Sequence, residues 1–360
     1  ALNITDFLSR IPLLEAFPTI QAVICLVIFI GYLSIAWGVA YSTHRRLHPT
    51  PLDRRGYVLS NISFAVPVLI PWIILSGITD VIHSLPFEST KRFLSSTEGE
   101  LFYFLVFMAA IALLGPAMIQ KFWRCTPLPP GPARERIERL CRKANVSYRN
   151  IVQWPLFGGR MITAGVMGLV KRFRYIMVTP ALLQYLSHDE LDAVIAHEIG
   201  HVKKNHLLFY LFFFTGFMLI AYASFDMLIY VILFSEPAYL FIARTGYSQA
   251  TLMPVLFSFI MVLFFLIYFR FIFGYFMRNF ERQADVYAFS MFDTATPLVS
   301  TFRKIAYTSG QSADKPNWHH FSIRQRIDYL RKCESHSFWI TRHDGKVKKS
   351  IGVYLTCLFL

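Results

Sequence analysis

The run Leu186-Ser187-His188-Asp189-Glu190-Leu191-Asp192-Ala193-Val194-Ile195-Ala196-His197-Glu198-Ile199-Gly200-His201 decides how the rest of the chain is read. It opens as a helix: Ser187 is placed to cap the N-terminus, Glu190 closes a capping box, and Leu186 with Leu191 forms a hydrophobic staple. Leu191, Val194 and Ile195 give that helix an apolar face to bury. His197 and His201, four positions apart, then project from one face about 6 Å from each other, so both reach a single zinc ion while Glu198 touches a water on it. This is the H-E-x-x-H pattern.

Around it lies a chain of 360 residues, 55% hydrophobic and with 35 Phe and 18 Tyr, that nevertheless carries a formal net charge of +14. Soluble globules average about 45–50% apolar residues, so the surplus is expected to face lipid. The five cysteines, Cys25, Cys125, Cys141, Cys333 and Cys357, are odd in number and never form C-x-x-C. That argues against a disulfide framework and a thiolate zinc site, which leaves His and carboxylate as ligands. The first residue is not Met and the apolar run at 351–360 stops abruptly, so both ends are expected to be trimmed.

Five stretches are long and apolar enough to cross a bilayer, at 18–41, about 57–82, 101–122, 207–234 and 252–277, since about 20 helical residues cover the roughly 30 Å hydrocarbon core. The first lacks a cleavage site after its apolar core and reads as an anchor. The run at 351–360 is too short to cross and reads as the stub of a sixth span. Arg45, Arg46, Arg54 and Arg55 follow the first span, and 121–204 is dense in Arg and Lys, whereas the loops at 83–100 and 235–251 are poor in positive charge. Lys and Arg stay on the cytoplasmic side, so alternation of five spans satisfies every loop. Positive charge beside spans is thereby explained and no stacking module accompanies it, which speaks against a nucleic-acid partner. Asp226 and Arg270 lie inside spans, where snorkelling or local helix contacts account for them better than transport does.

The expected organisation is a mainly α membrane protein: three spans over 1–122, a soluble first part at 123–206, a transmembrane hairpin at 207–277, a soluble second part at 278–350 and the stub. Prolines and Gly131 at 127–132 break the chain after the third span. Residues 133–144 read as an amphipathic helix with Ile137, Leu140 and Cys141 inward and a basic face outward, serving either anionic headgroups or solvent. Residues 163–167 and 175–179 read as two short strands joined through Gly168, followed by a helical turn at 181–185.

Zinc needs a third protein ligand and an open fourth position. Glu281 supplies it by height: His201 stands about 9 Å above the start of the fourth span and Glu281 about 6 Å above the end of the fifth, on the same side of the membrane. Asp285, one turn further along that face, is placed to accept a hydrogen bond from a ligating imidazole. His206, five positions past His201, points off the ligand face of a continuous helix and reads as interfacial. His44, His48, His83, His188, His336 and His343 read as loop or surface residues.

His197-Glu198-x-x-His201 with Glu281-x-x-Ala284-Asp285 resembles the membrane-embedded gluzincin metalloproteases, the family of the CAAX prenyl endopeptidases and the bacterial heat-shock membrane protease. The likeness covers about 163–330 and implies an α+β gluzincin-type domain on the cytoplasmic side with one Zn2+ per chain. In that family an Asn-Ala strand start pairs with substrate; Thr163-Ala164 stands there, followed by Gly165, keeping Ala and replacing Asn. His319-His320-Phe321-Ser322 followed by Gln325-Arg326-Ile327 resembles the family's Thr-His-Pro-Ser segment and Glu-Arg-Ile. The resemblance therefore gives His320 and Arg326 the substrate-facing roles, with Phe321 in place of Pro.

The expected activity is zinc-dependent hydrolysis of peptide bonds in membrane-associated polypeptides, with Glu198 as general base and His320 and Arg326 meeting charge on the carbonyl oxygen. Prenylated C-termini and damaged membrane proteins both stay open as substrates, with a mild tilt to the second because the spans are few. The rival reading is a non-catalytic membrane scaffold or transporter with a structural metal. Such a site fills its fourth position with a protein ligand and has no use for a carboxylate between the histidines.

Overall fold

Long apolar runs satisfy their backbone inside lipid only as helices or closed barrels, and this chain takes the first solution. The computed structural model describes residues 11–47, 52–156, 161–237, 240, 244, 249–309 and 312–359. Among them, Pro18–Leu47, Thr97–Phe122, His206–Ala223 and Leu252–Phe292 are long and apolar enough to cross a membrane, and the bent pair Arg54–Pro67 with Leu69–Ser84 makes a fifth. The expectation of about five spans holds. His48 and most of the 235–251 loop lie outside the described residues.

The chain divides into two compact units, Ala1–Glu135 with Ser147–Tyr185 and Arg136–Val146 with Leu186–Leu360. The first holds helices α1 (Pro18–Leu47), α2 (Arg54–Ser84) and α3 (Thr97–Phe122). Asp80, inside α2, accepts a hydrogen bond at 2.7 Å from the Thr19 N–H at the start of α1, where a helix leaves its donors unpaired and favours negative charge. Pro67 and Pro71 interrupt the hydrogen-bond ladder of α2, which bends by 49°.

A four-stranded sheet completes this unit, in the order β1-β2-β4-β3: β1 (Thr126–Pro127), β2 (Asn150–Gln153), β3 (Ala164–Met167) and β4 (Tyr175–Val178). β3 and β4 fall within the two strands expected from the sequence and pair antiparallel, and Gly168 turns between them at φ +108°, where a side chain would strike the Phe173 carbonyl. β1 and β2 were not foreseen. β2 runs parallel to β4 with Ile151 beside Ile176, and four residues are too few for a periodic signal. Among the described residues the outer edge of β3 is unpaired.

The second unit takes most of α4 (Pro132–Lys143) and then α5 (His188–Lys203), α6 (His206–Ala223), α7 (Phe225–Leu233) and α8 (Gln249–Ile267). A π-helical turn at Tyr268–Phe273 joins α8 to α9 (Gly274–Phe292), followed by α10 (Thr296–Ser309), α11 (Ile323–Ser335) and α12 (Phe338–Phe359). As expected, Ile137, Leu140 and Cys141 of α4 are buried. Arg136, expected on the outward basic face, instead grips Asp192 of α5 through Nη2 at 2.7 Å and Nε at 3.1 Å. The fourth span expected from the sequence is split at Ser224, and Asp226 lies in the first turn of α7, where a helix favours an acid. The apolar run at 351–359 continues α12, whose Tyr354 hydroxyl meets that of Tyr268 at 2.7 Å. A core of Ala193, Ala196, Val286, Ala288, Phe289, Leu298, Phe302 and Leu330 binds α5, α9, α10 and α11 together.

Candidate metal centre

α5 starts where its sequence dictates. Ser187 accepts from the Glu190 N–H, and the Glu190 carboxylate takes the Ser187 N–H at 2.7 Å, the two halves of a capping box. The same carboxylate receives Ser300 at 2.6 Å and Lys304 at 2.7 Å, which ties the helix start to α10. Burial alone would raise the Glu190 pKa; Lys304, Ser300 and the Ser187 N–H outweigh it and hold the group down at about 2.

Gly200 brings α5 against α9. A Cβ at this position would stand 3.0 Å from Ala284 Cα and 3.1 Å from Tyr287 Cβ, so only the smallest residues let the helices approach this closely. Glu281 lies one turn before Ala284 and thereby reaches the histidines.

His197 Nε2 and His201 Nε2 are 3.3 Å apart, with Glu281 Oε2 3.4 Å from the first and Oε1 3.4 Å from the second. Ligand atoms about 2.0–2.1 Å from a tetrahedral zinc ion stand about 3.3–3.4 Å from one another. The two imidazole nitrogens have that spacing, each Glu281 oxygen lies at that distance from one of them, and one ligand atom from each of the three buried residues falls within 4.8 Å of the others. Burial pushes His201 down to about 4, which leaves it neutral at pH 7 with a lone pair to give. Burial would lower His197 too, but Asp285 and Glu281 outweigh it and hold it up at about 10. A metal bound here would have to displace the proton that these carboxylates favour on His197.

The supporting residues gather on the same spot. Asp285 Oδ1 lies 2.9 Å from His197 Nδ1, and the carboxylate takes a two-pronged grip from Arg326, Nε to Oδ2 at 2.8 Å and Nη2 to Oδ1 at 2.7 Å. Arg326 Nη2 is also 3.7 Å from Glu281 Oε2, and His320 Nδ1 is 3.1 Å from the same oxygen. Asn317 sets the His320 loop by accepting the His319 and His320 N–H groups on its side-chain oxygen, and Ser322 with Gln325 caps α11 so that Arg326 follows in its first turns. Glu198 is half-buried on α5, beside His197. Thr163, Ala164 and Gly165 belong to the first unit, where the Thr163 carbonyl accepts the Thr179 N–H and Ala164 and Gly165 begin β3.

Two histidines differ from their sequence reading. His206 is not interfacial: it is 0% exposed, with Nδ1 3.0 Å from His201 Nδ1. His343, read as a surface residue, is buried on α12 with Nε2 3.0 Å from the Asn279 carbonyl. The only sequence signal for His206 was Asn205, a residue that tolerates the left-handed conformation and here adopts it at φ 56°, ending α5 and re-aiming the next side chain.

Residues 129–336 match the model of peptidase family M48. The chain is 33% identical over 108 residues to the CAAX prenyl protease 1 homolog of Oryza sativa subsp. japonica, a match covering 29% of this chain and 24% of that protein. It is 34% identical over 74 residues to the Protease HtpX homolog of Sulfurihydrogenibium sp., covering 21% of this chain and 24% of that one. The chain thus spans about a quarter of the length of these curated relatives. The crystal structure of S. mikatae Ste24p shares the fold with a TM-score of 0.62 at 19% identity, over 87% of this chain and 76% of that one.

Proposed function

Since the chain belongs to peptidase family M48, we propose that it is a zinc-dependent endopeptidase of the membrane, cleaving membrane-associated polypeptides at the cytoplasmic face. The observation that carries this reading is the buried cluster of His197, His201 and Glu281, one ligand atom from each lying within 4.8 Å of the others, next to a carboxylate in the same helix as the histidines. Two imidazoles and one carboxylate would hold one Zn2+ and leave a fourth position for solvent, the donor set of a catalytic site. Bound there, the ion supplies Lewis-acid charge that acidifies water and polarises a carbonyl.

The protein's own groups do the rest. Glu198 takes a proton from the attacking water as the C–O bond forms and hands it to the leaving nitrogen as the C–N bond breaks. His320, about one-third exposed beside Glu281, is the donor to the developing charge on the carbonyl oxygen. Arg326 adds positive charge to the same place while its fork holds Asp285, and Asp285 fixes the His197 ring. The outer edge of β3, unpaired among the described residues, begins at Ala164 and Gly165 just after Thr163 and takes the substrate backbone as an added strand. Arg and Lys flanking the spans favour the cytoplasmic side for these groups.

Purified protein with Glu198→Gln is the test. Zinc content should persist while cleavage of casein, or of a prenylated CAAX peptide compared with its unprenylated form, is lost. Cleavage unchanged by the substitution would remove Glu198 from the mechanism. Zinc uptake without zinc-dependent cleavage by wild type would favour a structural metal.

A further inference from the structure

A line of hydrogen bonds leaves the far side of His201 and ends on the C-terminal helix. His201 Nδ1 lies 3.0 Å from His206 Nδ1, and His206 Nε2 lies 3.1 Å from Gln283 Oε1. Gln283 Nε2 donates to Asp344 Oδ1 at 2.6 Å, and Lys204 Nζ donates to Asp344 Oδ2 at 2.7 Å. The middle of the line is dry, with His206 0% and Gln283 7% exposed, and the His206 ring is held flat against Phe280 at 4.4 Å and 9°. Its outer end, at Lys204 and Asp344, is about one-third exposed.

The outer end dictates the direction of every bond. An aspartate only accepts and a lysine only donates. Gln283 must therefore turn its NH2 to Asp344 and leave its oxygen for His206. His206 then donates from Nε2 and accepts at Nδ1, so His201 donates from Nδ1 and keeps the lone pair of Nε2, the atom 3.3 Å from His197 Nε2 and 3.4 Å from Glu281 Oε1. With neutral rings no other assignment makes all four bonds.

We propose that Lys204, Asp344, Gln283 and His206 form a positioning chain that fixes the tautomer and orientation of His201, so that the seating of α12 is felt as metal affinity at the centre. The inference rests on His201 being a metal ligand. A chain that merely satisfies buried polar groups would affect folding alone, whereas an outer partner of a ligating histidine governs metal affinity by about 10–100-fold.

Full-length protein in detergent, titrated with zinc against a chelator and with Co2+ followed by its visible absorption, separates these cases. Gln283→Met keeps the length and volume and cuts the chain in the middle; it should weaken zinc binding about tenfold or more and alter the Co2+ spectrum. Asp344→Ala, at the half-open end, should move both readouts the same way, and Asp344→Asn, which still offers Gln283 an oxygen, should restore them. Wild-type affinity and spectrum in both Gln283→Met and Asp344→Ala, with only the melting temperature lowered, would overturn the proposal. Wild type that takes up no ion would overturn the metal reading itself, a result distinct from a normal wild type with unaffected variants.

Discussion

Asp285 sits between the His197 imidazole and the buried Arg326 guanidinium, 3% exposed and close to both. Asp285→Asn keeps the shape and removes the charge, leaving Arg326, with 12% side-chain exposure, only the more distant Glu281 carboxylate at 3.7 Å as counter-charge. Breaking a buried pair in this way costs about 3–5 kcal/mol, so unfolding in detergent should show a loss of that order, and zinc titration a drop of about tenfold or more. An unchanged zinc affinity would detach Asp285 from the centre. Glu190 makes a separate prediction. Its pKa in the fold, about 2, lies below the ordinary 4.5, so the stabilisation is present above pH 4.5 and is lost as pH falls toward 2. Discounted for Lys304, which is 43% exposed, it is worth on the order of 2 kcal/mol. Glu190→Gln should melt below wild type at neutral pH, and the gap should close on acidification through that window. A gap independent of pH would place the effect in packing.

At the scale of elements, the contact of α5 with α9 makes the site. Gly200→Ala adds a methyl 3.0–3.1 Å from Ala284 and Tyr287, a strain offset by about 1 kcal/mol of helix propensity. Gly200→Val adds two more carbons and overpacks the contact by about 1–3 kcal/mol, forcing α9 away and Glu281 with it. Zinc affinity should follow the series Gly, Ala, Val downward; equal affinity at all three would show that the close approach is not what places Glu281. That His197 and His201 share a helix face was legible because a capped amphipathic helix is local information, and that Glu281 comes beside them because counting residues from two membrane edges fixes its height. The closeness of Gly200 to Ala284 was not legible, since it is a property of two helices at once. His206 was misread for a related reason: a continuous helix turns the fifth residue away from His201, and the left-handed Asn205 cancels that rule. Gln283 and Asp344 needed the placement of α12, which no spacing announces.

The whole molecule adds the question of sides. Under the proposed topology of five crossings, 83–100 would follow two of them and the α10 region all five, and the positive-inside rule would put the second in the cytoplasm. Cysteine chemistry can read this directly. Cys141 and Cys333 are buried, so replacing Cys25, Cys125 and Cys357 leaves a background with no exposed thiol among the described residues. Into it Phe87→Cys and Tyr307→Cys each place a single reporter, at positions 61% and 90% exposed. In intact cells or vesicles with their native outer face outward, a membrane-impermeant maleimide should label the reporter at position 87 at once and the one at 307 only after the bilayer is opened. Both labelling together would mean that an apolar helix between the two positions fails to cross, and α3 is the one that lies between position 87 and the metal-centre helix α5. Reversed labelling would keep five crossings and turn the centre outward, and its substrates would then have to be sought on the opposite face of the membrane.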